Sequence, residues 1–269
     1  MDPKLSIIMP IYNGGRYLID SLGGLEKIKL IPWELLIVDD GSTDNNTRYF
    51  IESYAEKDDR IKPSFSNINR GISISRNELI NRAQSDTILV LDVDNVFDEG
   101  IIEKMYAMLK SLNVNVVCTQ YLKWIKNYNP LTLPTGFGED WNYLKYGNQI
   151  GLDVMIRALD VPPCSGNYMY TRRVFDSVGG YHDEDYHEAW GFGFRHIAAG
   201  YPIWICPGTH YNHRVCSGNY DRLPKPKIKE AMWSLLNSVR DRFTEDTIGI
   251  LDQDKDGDKI ISSGALKLK

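Results

Sequence analysis

The sequence contains few cysteines and no long apolar run. Four cysteines are spread over 269 residues, and none belongs to a C-x-x-C motif, so we expect reduced thiols rather than a disulfide framework. No apolar stretch approaches the roughly 20 residues that a membrane-spanning helix requires, and the first residues lead directly into a strand without the pattern of a signal peptide. These absences indicate a cytoplasmic protein without a transmembrane segment, with peripheral attachment to a membrane left open.

An excess of basic residues is also missing, and so is a dinucleotide-binding motif. The net charge is -5, which argues against a nucleic-acid partner. No G-x-G-x-x-G follows a predicted strand, which argues against a dinucleotide dehydrogenase. The apolar fraction of 42% and the charged fraction of 25% are ordinary for a globular protein. The length suits one large domain, or one domain with an appendage.

Residues 87–95 combine an apolar run with two closely spaced carboxylates. Residues 87–91 are β-branched or aliphatic without alternation, which predicts a strand covered on both faces in a parallel sheet. Asp92 and Asp94 follow this strand, at the edge where ligands bind in open α/β sheets. Because alternate residues of an extended segment point the same way, the pair suits Mg²⁺ or Mn²⁺ shared with substrate phosphates. The alternative is an acidic turn that merely ends the strand.

Strands and helices alternate along residues 1–120, which predicts a parallel sheet with helices on both faces. The predicted strands occupy residues 5–10, 35–38, 61–65, 87–91 and 114–120, and a strongly amphipathic helix covers 101–112. Asp39 and Asp40 end the second strand, so two strand ends carry paired aspartates. Two such pairs in one α/β unit indicate a shared cleft.

The pattern is weaker beyond residue 120. Aromatic residues dominate 121–161, and we expect irregular structure there that forms one wall of a pocket. Short helices are predicted at 172–178 and 191–199, and a strand at 201–206 with His210 and His213 following it. One amphipathic helix is predicted at 228–243.

Two further segments offer alternative metal sites. Cys206, His210, His213 and Cys216 form a C-x3-H-x2-H-x2-C cluster, which is a zinc alternative, although its spacing is tighter than that of standard zinc modules. Residues 252–258 imitate a calcium loop with Gly257 at the sixth position, but Ser263 stands where the bidentate glutamate belongs. We therefore interpret this second segment as a solvated acidic turn.

Six short motifs occur in one order along the chain. They are Pro10-Ile11-Tyr12-Asn13, the run from Val38 to Asp44, Asn69-Arg70-Gly71 with Arg76-Asn77, Leu91-Asp92-Val93-Asp94, Gly179-Gly180-Tyr181, and the run from Glu188 to Arg195. In this order they resemble a family-2 glycosyltransferase of the GT-A fold, over residues 5–217. The resemblance implies an α/β, Rossmann-like nucleotide-binding fold with a central, mainly parallel sheet flanked by helices. It implies a nucleotide-sugar-binding half at 1–120, an acceptor-binding half at 121–220 and a C-terminal helical extension with an acidic tail at 221–269.

The resemblance also implies a nucleotide site and a metal site. The implied nucleotide-binding residues are Pro10, Tyr12, Asn13, Asp39, Asp40, Asn69, Gly71, Arg76, Asp92 and Val93. The implied ligands of Mn²⁺ or Mg²⁺ are Asp94, Asp92 and His213, and the metal would neutralise charge on the departing nucleoside diphosphate. This sequence departs from the family at Asn95, where a further aspartate is common, so one anionic ligand is missing. Structural alternatives are an ordinary strand-end turn for Asp39 and Asp40 and a solvated helix arginine for Arg76.

An inverting transfer needs a carboxylate that takes the proton of the acceptor hydroxyl. The family resembled here usually carries Glu-Asp before its acceptor-side helix, and this chain has Glu188-Ala189. Glu188 is therefore the predicted general base, with Asp185 and Asp183 as reserves. The alternative for Glu188 is an acid favoured by the helix macrodipole. Trp190 is expected either to stack on a sugar or to pack in the core.

The function implied is metal-dependent transfer of a sugar from a nucleoside diphosphate sugar, a UDP-sugar first among them. The expected acceptor is a glycan, glycolipid or protein, and a homodimer is an expected assembly. A sugar-1-phosphate nucleotidyltransferase is a weaker alternative, because its glycine-rich and basic loop is absent after the first strand. A catalytically inactive sugar-binding module is the other alternative, suggested by Ala189 and Asn95.

Overall fold

The structure is a computed structural model, which describes residues 2–44, 46–125, 141–157, 168–183, 188–214, 230, 233–253 and 266–269. Its strands are β1 Leu5–Ile11, β2 Trp33–Asp40, β3 Ile61–Ser66, β4 Thr87–Val90, β5 Val116–Ile125, β6 Trp141–Asn142, β7 Gln149–Ile150, β8 Tyr168–Thr171 and β9 Ile203–Arg214. Its helices are α1 Leu18–Leu25, α2 Thr47–Ala55, α3 Ile72–Arg82, α4 Ile101–Ser111, α5 Leu152–Arg157, α6 Arg172–Ser177, α7 Glu188–Ala198 and α8 Glu245–Gln253. The strands and helices expected along the first 120 residues are thus confirmed.

One mixed sheet runs through the described residues, in the order β3-β2-β1-β4-β8-β5-β9-β7, with β6 paired to β5. The strands β3, β2, β1 and β4 form a parallel block. β8 is antiparallel to both β4 and β5, and β9 is parallel to β5. Since β4 and β5 both oppose β8, the carboxyl ends of β1 to β5 and of β9 lie at one edge of the sheet.

The first block forms because β1, β2 and β4 are largely apolar on both faces. Every residue of β2 and β4 is buried, and so are the apolar residues of β1. α3 packs on β1 and β2, while α4 packs on β5, β8 and β9. α4 has the predicted apolar stripe, since Ile101, Ile102, Met105 and Leu109 are buried. Burying an aliphatic side chain of this kind contributes about 1.5–3 kcal/mol, so these stripes hold the helices to the sheet.

The second half differs from its prediction in three places. The strand expected at 201–206 continues to Arg214, so His210 and His213 lie within β9 rather than after it. Pairing with β5 extends the strand, and a register irregularity between Thr119 and Tyr121 lets it continue. The region expected to be irregular contains the end of β5, the short strands β6 and β7 and helix α5. The short strand β8 of this half is inserted between β4 and β5, a strand order that was not predicted.

The C-terminal part also differs from the single amphipathic helix that was predicted at 228–243. Residues 233–237 are helical, a 3-10 turn follows at Arg240–Arg242, and α8 is a separate helix that was not predicted. Phe243 is fully buried and forms an isolated bridge with Leu268, so the last residues return to the segment that precedes α8. None of the helices in the described ranges has the length and apolarity to cross a bilayer.

Candidate active site

The loop after β1 is tied to the loop after β2 by one asparagine. Asn13 has a positive φ of 54°, a conformation that asparagine tolerates better than most residues. Its Oδ1 accepts hydrogen bonds from Thr43 N at 2.8 Å and Asp44 N at 3.1 Å, and Asn13 N donates to Ser42 Oγ at 2.8 Å. Asn13 therefore shapes the loops of the predicted nucleotide site.

The two aspartates that end β2 are buried and bonded to the protein. Asp39 is 5% exposed and accepts from Ser42 N at 2.9 Å. Asp40 is 4% exposed and accepts from Arg70 N at 3.1 Å and from Gly71 N at 2.9 Å. Asp40 thus holds the loop before α3 against the end of β2. Both residues were predicted to bind the nucleotide; the hydrogen bonds described for them come from backbone N–H groups, and Asp40 Oδ1 also lies 3.5 Å from Arg70 Nε.

Gly41, next to this pair, allows the two loops to approach. Its φ is +73°, and a Cβ there would collide with the backbone of Ile68. Both the conformation and the close approach exclude other residues. The Asp-Asp-Gly sequence at the end of β2 is therefore explained by packing of the loop at 66–71.

The end of β4 is more open and holds its carboxylates differently. The Asp92 side chain is 27% exposed, and its Oδ1 accepts from Arg76 Nη2 at 2.8 Å. Asn95 is fully buried; its Nδ2 faces Asp92 Oδ2 at 3.5 Å, and its Oδ1 accepts from Arg214 N at 3.3 Å. Asp94 is partly exposed in the turn between them. Asn95 therefore braces the turn against β9.

Arg76, on α3, is the buried cation of the site. Its side chain is 2% exposed, Nη1 donates to Glu188 Oε1 at 2.6 Å, and its guanidinium carbon lies 5.2 Å from the centroid of the Tyr181 ring. Burial disfavours the charged form, but Asp92 and Glu188 outweigh it and hold the pKa of Arg76 well above its usual value. Arg76 is therefore a permanent positive charge shared by two carboxylates.

Glu188 begins α7 and is 23% exposed. The helix after it is buried almost all round, and Trp190 is 5% exposed and stacks on Phe194 with ring centroids 5.5 Å apart. Of the two alternatives for Trp190, the structure supports packing. Ala189, which stands where an aspartate was expected, is also buried at 3% exposure.

α3 carries a second link between the two halves, next to Arg76. Asn77 Nδ2 donates to Tyr181 O at 2.8 Å, and Tyr181 N donates to Asn77 Oδ1 at 2.9 Å. Gly180 has a φ of +83°, and a Cβ there would lie 2.7 Å from Asn77 Oδ1. Arg195 Nη2 donates to Gly180 O at 2.5 Å. The Gly-Gly-Tyr motif thus forms the turn that α3 and α7 hold between them.

His213 reaches the same edge from β9. Its Nδ1 lies 2.7 Å from Tyr211 Oη, and both side chains lie on one face because they are two residues apart in a strand. Burial lowers the pKa of His213, while the charge of Asp92 acts in the opposite direction. The imidazole is therefore favoured in its neutral form, which is the form that binds metal.

The donor set partly fits a divalent cation. In the described ranges, no group of three or more His, Cys, Asp or Glu side chains is arranged to hold a metal ion. A Mg²⁺ or Mn²⁺ bound chiefly through substrate phosphates needs only one or two protein carboxylates. Asp94 and Asp92 can supply these, and an outer partner such as Tyr211 on the second ring nitrogen is typical of ligating histidines.

The zinc alternative is not supported by the part of it that is described. His210 and His213 are three residues apart in the regular part of β9, so their side chains point to opposite faces of the strand. His210 Nε2 instead contacts Asp98 Oδ2 at 2.6 Å. Burial raises the pKa of the Cys206 thiol, which disfavours the thiolate. Cys216 lies outside the described residues.

Several other predicted residues have simpler surroundings. Pro10 lies in β1 opposite Val38, Tyr12 is 49% exposed, and the side chain of Val93 packs close to Gly14. Asn69 Oδ1 accepts from Gly71 N, and Gly71 precedes α3 with a φ of +96°. Asp183 is exposed. Asp185 lies outside the described residues, as does most of the calcium-like segment. The first residue of the calcium-like segment, Asp252, forms an ion pair with Arg240, with Oδ2 and Nη2 2.6 Å apart.

Sequence reasoning missed two residues of the site. Tyr211 was not considered because the strand was expected to end at residue 206, and alternation along a longer strand would have paired it with His213. Asn95 was treated only as a lost ligand, whereas it is a buried brace. A polar residue directly after an acidic strand end is a weak signal for such a role.

The fold and the acidic edge of the sheet together define an α/β domain with a mostly parallel sheet and a candidate ligand site at the carboxyl ends of its strands. Residues 6–179, well over half of the chain, match the profile of glycosyl transferase family 2. The chain therefore belongs to glycosyl transferase family 2.

Relatives and solved structures agree with this placement. Glycosyltransferase GlyG of Streptococcus pneumoniae serotype 4 is 28% identical over 124 residues, which are 46% of this chain and 41% of GlyG. The chain thus spans less than half the length of that relative. The crystal structure of residues 1–349 of S. aureus TarS with UDP-GlcNAc superimposes with a TM-score of 0.69 at 19% identity, covering 97% of this chain and 71% of that one. The mannosyltransferase PcManGT of Pyrobaculum calidifontis, with GDP-Man and Mn²⁺, superimposes with a TM-score of 0.65 at 16% identity, covering 98% and 71%.

Proposed function

We propose that this chain transfers a sugar from a nucleoside diphosphate sugar to an acceptor hydroxyl, in a metal-dependent reaction that inverts the anomeric centre. One observation carries the proposal. In a member of glycosyl transferase family 2, the acidic end of β4 and the carboxylate of Glu188 meet through Arg76 at the ligand-binding edge of the sheet.

The donor is bound at the carboxyl ends of β1, β2 and β4 in this proposal. The loops at 12–15 and 41–44, joined by Asn13, form one side of the nucleotide site, and Asp94 faces the diphosphate. Mn²⁺ or Mg²⁺ bound by Asp94, with Asp92 and His213 nearby, would supply positive charge that stabilises the leaving diphosphate. A UDP-sugar is the first candidate donor because TarS, the similar structure with the higher TM-score, holds UDP-GlcNAc. The GDP-Man in PcManGT makes a guanosine donor the second.

The chemical step is one in-line displacement. The acceptor oxygen attacks the anomeric carbon, the bond from that carbon to the phosphate oxygen breaks, and the electron pair leaves with the nucleoside diphosphate. Glu188 takes the proton of the acceptor hydroxyl, since it is the carboxylate at the start of α7 that faces the end of β4. A single displacement gives inversion. The acceptor is a glycan, a glycolipid or a protein.

The replacement Glu188→Gln tests the assignment of the base. We expect donor binding within about 3-fold of the wild type and a loss of transfer by roughly 10²- to 10⁴-fold, the usual contribution of a general base. Glu245→Gln is the matched control, because Glu245 also stands in the first turn of a helix and its loss changes only the macrodipole interaction. Wild-type turnover in Glu188→Gln would move the base to another residue. NMR of the anomeric product tests inversion.

A second candidate function is a nucleotide-sugar-binding module without transferase activity. The observation that favours it is the ion pair between Glu188 Oε1 and Arg76 Nη1 at 2.6 Å, because a carboxylate bound to arginine is a weaker base. A screen of UDP- and GDP-sugars with Mn²⁺ separates the two functions. Binding without donor hydrolysis or transfer for any donor would support the module.

A further inference from the structure

The guanidinium of Arg76 is inaccessible to a ligand in the cleft. Its side chain is 2% exposed, and its two terminal nitrogens are bonded to Asp92 Oδ1 at 2.8 Å and to Glu188 Oε1 at 2.6 Å. The two carboxylates are themselves 27% and 23% exposed. The arginine therefore lies behind the carboxylates, which form the surface of the cleft in front of it.

We propose that Arg76 is a positioning residue: one planar guanidinium fixes the carboxylate of Glu188 relative to that of Asp92 and thereby holds the acceptor side of the site in register with the donor side. It does not bind the nucleotide, which was its predicted role. The catalytic consequence rests on the function proposed above, whereas the structural role does not.

Geometry supports a role for the guanidinium itself rather than for its charge. A guanidinium presents its donors in a rigid fork, and each terminal nitrogen here serves a different carboxylate. A lysine ammonium is a point charge on a flexible stem and cannot reproduce two bonds in fixed directions. The Tyr181 ring, 5.2 Å from the guanidinium carbon, limits the position of the group further.

The elements around Arg76 are held in place independently. Asn77, the next residue of α3, makes two hydrogen bonds to the backbone of Tyr181, and Ser73 Oγ lies 3.4 Å from His182 O. α3 also packs on β1 and β2. Loss of the Arg76 side chain would therefore release Glu188 without separating α3 from the turn at 179–181, so its effect can be measured in a folded protein.

Steady-state kinetics of Arg76→Lys test the catalytic consequence. We expect kcat to fall roughly 10- to 100-fold because Glu188 is misplaced, with the donor KM within about 3-fold of the wild type. Arg82→Lys is the matched control on the same helix; Arg82 is 36% exposed and pairs with Glu78 one turn earlier. A raised donor KM with unchanged kcat would overturn the proposal, because that is the result for a residue that binds the nucleotide. Wild-type kinetics would also overturn it.

A thermal double-mutant cycle tests the structural role without any substrate. We expect Arg76→Leu to lower Tm in the wild type by roughly 3 °C more than in a Glu188→Gln background, because the ion pair with Glu188 is lost only in the wild type, whereas the ion pair with Asp92 is lost in both backgrounds. Additive Tm changes would overturn the proposal. If no donor is turned over by the wild type but the cycle shows coupling, the proposed function fails while Arg76 still holds Glu188.

Discussion

The ends of β2 and β4 each carry two carboxylates, but the two pairs have different surroundings. Asp39 and Asp40 are about 5% exposed and accept hydrogen bonds from backbone N–H groups of nearby loops. Asp92 and Asp94 are partly exposed, and the partners described for Asp92 are the side chains of Arg76 and Asn95. The first pair is positioned to shape the loops of the cleft, and the second to face its contents.

This difference indicates how stability and activity are divided along the edge of the sheet. A buried carboxylate that satisfies backbone donors stabilises the fold, since its removal leaves those donors unpaired. A partly exposed carboxylate can exchange water for a ligand at little cost to the fold.

The largest effect is expected for Asp94→Asn. If Asp94 binds the metal as proposed, transfer and metal-dependent nucleotide binding should fall about 1,000-fold, a loss of about 4 kcal/mol, because the variant lacks that anionic ligand. The free energy of unfolding should change by less than about 1 kcal/mol, as for other partly exposed sites. Calorimetric titration of UDP and GDP with Mn²⁺ or EDTA measures the first quantity, and urea denaturation the second.

Asp86→Asn is the control for that variant. Asp86 precedes β4 at the opposite edge of the sheet, and its side chain is 93% exposed. Nucleotide binding should equal that of the wild type. If Asp94→Asn binds nucleotide equally well with Mn²⁺ and with EDTA, the metal assignment is wrong.

Asp40→Ala is expected to affect stability instead. It leaves the backbone N–H groups of Arg70 and Gly71 without their acceptor. We therefore expect the free energy of unfolding to fall by about 3 kcal/mol. Urea denaturation at pH 7.5 measures this loss, and Asp94→Ala under the same conditions is the comparison. Equal stability losses in the two variants would remove the distinction between the two strand ends.

Burial also gives a structural role to a base, His196 of α7. His196 is fully buried, its Nδ1 lies 2.8 Å from Tyr201 O, and burial lowers its pKa from 6.5 to about 4. The unfolded state binds the proton more readily than the folded state. The contribution of neutral His196 to the free energy of unfolding is therefore fully present above about pH 6.5 and is lost as pH falls toward 4. Between pH 7.5 and 5 the loss should be about 2 kcal/mol.

His196→Asn isolates this titration. Asparagine can still donate to Tyr201 O but does not ionise, so its free energy of unfolding should lose about 2 kcal/mol less over the same pH range. Urea denaturation at several pH values measures the difference. Parallel pH profiles for the two proteins would show that His196 is not the titrating group.

The smallest effect is expected for Asn95→Asp, which restores the aspartate common in the family. The new carboxylate would lie beside Asp92 Oδ2, where Asn95 Nδ2 is now 3.5 Å away. Repulsion between like charges should cost about 1 kcal/mol without metal, and Mn²⁺ should recover that loss. Melting curves with and without Mn²⁺ measure both effects. If Mn²⁺ does not reduce the loss of stability in Asn95→Asp, residue 95 does not interact with the bound cation.

The parallel block was predictable because its signals are local. Runs such as residues 35–38 and 87–91 are apolar and of strand length, and the helices between them carry apolar stripes. The insertion of β8 between β4 and β5 was not predictable, since a strand of four residues carries little signal and its pairing joins distant segments. The length of β9 was missed because its second part is mostly polar and is held by pairing with β5, which is distant in sequence.

Sequence motifs predicted which residues lie near the candidate site, but they did not predict which of those residues contact one another. The motif placed Arg76 near the cleft, yet its partners lie 16 and 112 residues away in sequence, and only the folded chain brings them together. The sequence likewise contains Asp40 and Asp94 in similar settings, at the ends of apolar strands. Burial, which depends on the loop at 66–71, distinguishes them.

The antiparallel strand β8 also has a consequence for folding. The block of β3, β2, β1 and β4 is complete once residue 90 has been synthesised, whereas β8 begins at Tyr168. The open side of β4 must therefore wait for almost 80 residues before it is paired, and pairings between such distant segments are slow to form. During that interval a nascent chain exposes an apolar strand edge, which is the kind of surface that chaperones bind and that aggregation recruits.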